Sequence, residues 1–231
     1  MIADFWNWSV KIADQPTNGG SWVGESETDE GRRVLFLMDP VDASPSGQSA
    51  TLQQNCTISS TNRSNQSILI PLWIAWADQH EHPGLNNHNL ALCARGQYNV
   101  GSIVGDVWID DAPYAHISAL MTRTAGNATN EPVAEITHNV NNNQNVIDYA
   151  TTKHFSLDVQ KNSSKPGVRA GSITNAGSHG YWVVHDPLPP NPNPHRIRYR
   201  LAVEPPGIGF AAHDFPNGFG PVEITYILNY T

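Results

Sequence analysis

Charge is scarce in this chain: 15% of its 231 residues are charged, with 13 Lys and Arg against 21 Asp and Glu and a net charge of −8. That balance repels phosphate and leaves nucleic acid no basic stripe to follow. The one basic cluster, Arg196, Arg198 and Arg200, alternates with Ile197, Tyr199 and Leu201, so a strand there would turn all three guanidinium groups to its wetted face. No apolar run approaches the ~18 residues that a membrane span needs. Met1-Ile2-Ala3-Asp4 has neither the positive patch nor the apolar stretch of a secretory leader, so an exported form would have had its leader removed. Also missing are a C-x-x-C pair, a G-x-S-x-G elbow and a phosphate-cradling glycine loop. Cysteine is limited to Cys56 and Cys93. Joined, they would close a loop of about 38 residues and stabilise the fold by roughly 4 kcal/mol; two buried thiols are the alternative.

Asparagine is plentiful, and it is patterned. Asn-x-Ser/Thr triplets without a central proline occur at Asn7, Asn55, Asn62, Asn65, Asn127, Asn162 and Asn229, about twice the number chance would supply. Such acceptor sites point to a secreted or cell-surface glycoprotein whose sequon-bearing segments face solvent.

The apolar runs are short, rich in β-branched and aromatic residues, and separated by clusters of Gly, Pro, Asn and Asp, which predicts an all-β chain. Strands are expected at Val34–Met38, Ser67–Trp76, Ser102–Ile109, His116–Met121, His154–Val159, Tyr181–His185, Arg196–Val203 and Val222–Tyr230. About eight mainly antiparallel strands with long loops suit a β-sandwich or jelly roll, with residues 1–231 as a single domain. In the last run Val222, Ile224, Tyr226, Leu228 and Tyr230 alternate with mostly polar residues, which turns Asn229 outward. The same parity puts Asn55 and Thr57 out, with Cys56 and Ile58 in.

Ser67–Trp76 is apolar on both faces, so it belongs either in a central strand covered twice or at a contact between subunits. Pro71 within it implies a bulge or an edge position. Asp4–Ala13 fits neither helix nor strand period, Asn139–Asn145 reads as a solvated loop, and the proline-rich Asp186–Pro194 reads as a stiff link between two strands.

Two constellations could carry chemistry. On an extended chain His80 and His82 would share a face with Asp78, offering ligands for a divalent metal; His185, Asp186, His213 or Asp214 would have to complete the set. Of the seven tryptophans, Trp73, Trp76, Trp108 and Trp182 fall within apolar strands and read as core. Trp6, Trp8 and Trp22 fall in less regular sequence and are the candidates for stacking on sugar rings.

The order of short motifs resembles a group of uncharacterised secreted microbial β-rich proteins. The similarity rests on Trp6-Asn7-Trp8, Val34-Leu-Phe-Leu37, Cys56-Thr-Ile58, Gly180-Tyr-Trp-Val183, Pro187-Leu-Pro-Pro190 and His195-Arg-Ile197. Asn191-Pro-Asn-Pro194 replaces the glycine-containing turn of that pattern, and a cysteine expected near residues 20–30 is missing. The resemblance implies an extracellular β-rich fold and supplies no catalytic residue. The expected function is that of an extracellular, N-glycosylated structural subunit that self-associates as a homo-oligomer, filament or surface layer. The rivals are a carbohydrate-binding module and a metal-dependent enzyme built on His80 and His82.

Overall fold

The computed structural model describes residues 1–10, 23–27, 31–38, 48–58, 65–80, 82–85, 87–96, 102–123, 136–142, 145–151, 153, 155–159, 171–203 and 218–231. The sequons Asn62, Asn127 and Asn162, together with Trp22, His213 and Asp214, lie outside them. Two mixed sheets pack face to face as the alternating patterns anticipate. In chain order the elements are α1 (Ile2–Ser9), β1 (Val23–Glu27), β2 (Arg33–Leu37), β3 (Ala50–Ile58), β4 (Gln66–Asp78), α2 (Asn87–Gly96), β5 (Ser102–Ile109), β6 (Ala112–Arg123), β7 (Ile136–Asn142), β8 (Val146–Ala150), β9 (Phe155–Val159), β10 (Gly171–His185), β11 (His195–Val203) and β12 (Phe219–Tyr230).

The first sheet runs β1-β2-β4-β10-β8, with β9 also pairing β10; the second runs β3-β12-β11-β5-β6-β7. β2 runs parallel to β4 and β3 parallel to β12, whereas the other pairs are antiparallel.

Between the sheets lies one core. The period-2 residues Ile197, Tyr199 and Leu201 of β11 meet Ile68, Ile70 and Leu72 of β4 and Leu35 and Leu37 of β2 there. Two stacked tyrosines tie the layers together, because Met38 donates its N–H to Tyr226 Oη at 3.1 Å and accepts from Tyr199 Oη at its carbonyl.

The doubly apolar β4 is a central strand with both faces covered by its own chain. Its outer residue Leu69 packs in a second cluster with Phe5 and Trp6 of α1, Phe155 and Leu157 of β9, and Trp182 of β10. Pro71 marks a bulge: Tyr181 pairs with Trp73 and Trp182 with Pro71, so Leu72 is the extra residue. The bulge reverses the parity of the strand. Ile68 and Ile70 face the inter-sheet core before it, Leu72 and Trp73 both face it at the bulge, and Ile74 and Trp76 turn to the outer cluster after it, Trp76 against Trp6 of α1.

The link Asp186–Pro194 carries the chain from the first sheet to the second as an extended segment, as its prolines require. It is pinned by buried Leu188 and by His195, whose Nε2–H donates to the Pro189 carbonyl at 2.8 Å while Nδ1 lies 2.6 Å from Asp110 Oδ2. Asp110 and Asp111 have φ of 49° and 63° and form the two-residue turn between β5 and β6. Asp110 Oδ1 also accepts the Arg196 N–H at 2.9 Å.

Candidate functional site

The second sheet presents the surface that concentrates the sequence's unexplained features. β3, Ala-Thr-Leu-Gln-Gln-Asn-Cys-Thr-Ile, is nine residues long and lies at the end of the strand order among the described residues. It has no charged residue, no proline and no register shift against β12. Its side chains alternate as the parity of Asn55 predicted: Thr51, Gln53, Asn55 and Thr57 are exposed, while Cys56 and Ile58 enter the core.

The backbone polarity of β3 follows from one bond. Thr231 donates its N–H to the Ile58 carbonyl at 3.0 Å, so even-numbered residues of β3 aim their peptide groups at β12. Alternation then aims the N–H and C=O of Thr51, Gln53, Asn55 and Thr57 away from the sheet. Gln54 bends its side chain back to donate to the Asn55 carbonyl at 3.2 Å, which serves an outward acceptor from within the strand.

Among the other described sequons, Asn65 is exposed and donates to the Gly31 carbonyl at 3.0 Å. Asn7 sits half-buried on α1, its amide bonded to the carbonyls of Ala3 and Ser156 at 3.1 and 2.9 Å. Asn229 is turned opposite to Leu228, as expected, but is half-buried, with its amide 3.4 Å from the carbonyls of Cys56 and Ile227. Asn55 and Asn65 are therefore the accessible acceptors among the described residues.

Two strands from β3, across β12, the outer face of the same sheet carries the three arginines of β11. Arg196 reaches Asp111 at 3.3 Å and Arg198 reaches Glu223 at 3.5 Å. Asp106 and His116 meet at 2.7 Å. Trp108, expected in the core, is half-exposed on this face, and the Arg198 guanidinium lies 4.0 Å from its ring centroid. Its position was legible: Trp108 has the parity of Asp106, opposite to buried Val107 and Ile109.

Trp6 is not part of the stacking surface it was expected to form, and Trp8 is half-buried. The irregular segment Asp4–Ala13 begins as helix α1, which docks on the outer face of the first sheet and buries Trp6 to 2% exposure. Trp6 Nε1 donates to Ser178 Oγ at 2.8 Å, its ring stacks on Trp76 at 5.7 Å, and Trp8 packs against Phe5 and Phe36.

The premise of the metal site fails on backbone geometry. β4 ends at Asp78, and a turn follows in which Asp78 Oδ1 accepts the His80 N–H at 2.7 Å and the Asp78 carbonyl accepts the His82 N–H. His80 and His82 thus do not continue an extended strand, and among the described residues no three His, Cys, Asp or Glu gather as a metal set.

Cys56 and Cys93 are not joined. Cys56 is buried in the inter-sheet core, where burial pushes its thiol up to about 11, whereas Cys93 lies on α2, packed against a separate cluster with Ala77, Leu90 and Ala94. The 38-residue spacing said nothing of which face each cysteine would occupy.

An open groove of about 460 Å³ lies beside the start of α1, lined by Leu69, Ile147, Tyr149, Lys153, Phe155 and Trp182. No described helix is long and apolar enough to cross a membrane. No family model, curated protein or solved structure matches the chain.

Proposed function

We propose that this chain is an extracellular, N-glycosylated β-sandwich with a structural role at a surface or in a filament, and that it self-associates through an open sheet edge. The observation that carries this is β3, an uncharged and unbroken strand at the edge of its sheet among the described residues, with the exposed sequon Asn55 on it. Natural edge strands are usually blunted by charge, proline or bulges. Here none of these devices is present, which suits a strand that is either used for pairing or shielded by a sugar. The exposed Asn65 adds a second acceptor. Covering of β4 by α1 removes that strand as an assembly contact and leaves the edge as the better one.

Two measurements test this together. Intact mass of natively sourced protein should exceed the chain mass by hexose-containing increments, and light scattering of chain made without glycosylation should report more than one copy per particle. An unmodified native mass, or a monomer at every concentration, contradicts it.

A second reading, saccharide binding, is favoured by Trp108 with Arg198 on the outer face of the second sheet. Planar polar groups there, from Gln53, Arg198, Asp106 and Glu223, match paired sugar hydroxyls, and the indole adds apolar area. Titration with an oligosaccharide panel should change tryptophan emission in the natural chain and leave Trp108→Ala silent; flat traces from the natural chain remove this reading.

A further inference from the structure

We propose that two copies pair β3 with β3 in antiparallel fashion about a twofold axis at Gln54, and that a glycan on Asn55 blocks this pairing. This rests on the self-association reading above and gives it an interface and a switch; a twofold pairing closes at two copies, so this contact by itself builds a dimer and a filament would need a second contact.

The register follows from the outward peptide groups. In an antiparallel ladder, residues whose N–H and C=O face each other exchange two hydrogen bonds, and the residues between them pair without bonds. Thr51, Gln53, Asn55 and Thr57 are the outward-facing set, so bonded pairs must join odd-numbered positions. Centring on Gln54 uses all of them: Thr51 opposes Thr57 of the second copy, and Gln53 opposes its Asn55. That gives about eight inter-chain hydrogen bonds. Centring on Gln53 or Asn55 leaves one residue of each set unpaired.

The side chains agree with this register. On the inner face half-buried Leu52 would meet the buried Cys56 of the second copy, and Gln54 would meet its own counterpart. On the outer face the pairs are threonines and amides, with no charge to repel. β1 offers no such edge, since exposed Glu25 and Glu27 lie on it and would set like charges against each other.

Asn55 is therefore a poor place for a sugar if the edge is to pair. In the bonded register it lies about 5.5 Å from Gln53 of the second copy, and the two Asn55 side chains are diagonal neighbours about 7–8 Å apart on one face. Two branched glycans rooted there would collide and would cover the outward groups of the strand. An occupied Asn55 keeps the chain single, and an unoccupied one leaves the edge open.

The test compares four preparations by light scattering over a range of concentration: chain glycosylated at Asn55, Asn55→Gln from the same host, Gln53→Pro without glycan, and Thr51→Lys/Gln53→Lys without glycan. Gln53 faces its N–H outward, so proline there removes an inter-chain donor and spares the ladder to β12. The lysine pair repels without touching the backbone. Asn55→Gln should approach twice the chain mass; the glycosylated chain and both edge variants should stay at one chain mass, with native circular dichroism. A dimer that survives glycosylation, proline and lysine alike overturns the switch and the register while leaving self-association intact. A monomer in every preparation, Asn55→Gln included, overturns the self-association reading as well.

Discussion

Replacing Phe5 by alanine should strip α1 from the first sheet. Phe5 is wholly buried and makes edge contacts with Trp6, Trp8, Phe36 and Trp182 at centroid distances of 5.2 to 5.8 Å. Truncating a core phenylalanine costs about 3–5 kcal/mol, a figure that already contains the aromatic pair terms. The loss should fall at the high end, because an eight-residue helix has too little propagation to hold itself once its anchor is gone. Detachment would wet Phe36, Leu69 and Trp182 beneath it. Urea titration should show a lower midpoint, and tryptophan emission should shift to the red before global unfolding. Phe5→Leu, which keeps much of the volume, should recover most of the stability. A loss of less than about 1 kcal/mol with unchanged emission would refute the docking of α1 and reopen Trp6 and Trp8 as surface residues.

Gly177→Ala should cost about 1–3 kcal/mol by overpacking, since a β-carbon there would come within 2.5 Å of the Ala91 backbone nitrogen on α2 and backbone cannot rotate aside; thermal melts report it. Asp110→Ala should cost about 2–4 kcal/mol in denaturant titrations, because it strips an acceptor from buried His195 and from the Arg196 N–H and places alanine at positive φ, whereas Asp110→Asn should cost less. Cys56, with its thiol raised to about 11 from an unfolded value of 9.0, should resist alkylation at pH 8 until the chain is unfolded. The same shift gives a pH dependence of definite sign: the unfolded chain loses the proton first, so this contribution is intact below pH 9 and lost as pH rises toward 11. The stability difference between the natural chain and Cys56→Ala should shrink across that window.

Where one face of a strand meets the core and the other meets water, the sequence announced it. β11 and β5 alternate cleanly, β12 does so apart from buried Thr225, and the parity that buries Ile197, Tyr199 and Leu201 also sets the arginines outward. Pro71 likewise forecast the bulge in β4. Elements held by backbone or by close approach were harder to see. β7 runs through Ile136–Asn142, across part of the asparagine tract expected to be a loop, because an edge strand needs only the ladder to β6 and no apolar side chains. The first half of β10 is rich in Gly, Ser and Asn and resembles a turn, yet Gly177 is there because α2 presses on the strand, and Gly180 because Ile74, and behind it the Trp182 indole and the Trp73 carbonyl, leave no room for a β-carbon. α2 was missed for the same reason: Leu90, Ala91 and Ala94 form too narrow an apolar stripe to stand out in Asn87–Gly96.

As for the candidate site, the exposure of Asn55 was readable from parity, but its place on the last described strand of the sheet was not. That depends on β3 pairing parallel to β12 from more than 160 residues away, a partner no local pattern names.

Glycopeptide mass spectrometry on natively sourced protein, applied to the peptide that contains Asn55, is the decisive test of a glycan at the β3 edge. A hexose-bearing adduct on Asn55 is expected in at least part of the material. Asn55 bare in every copy would contradict it.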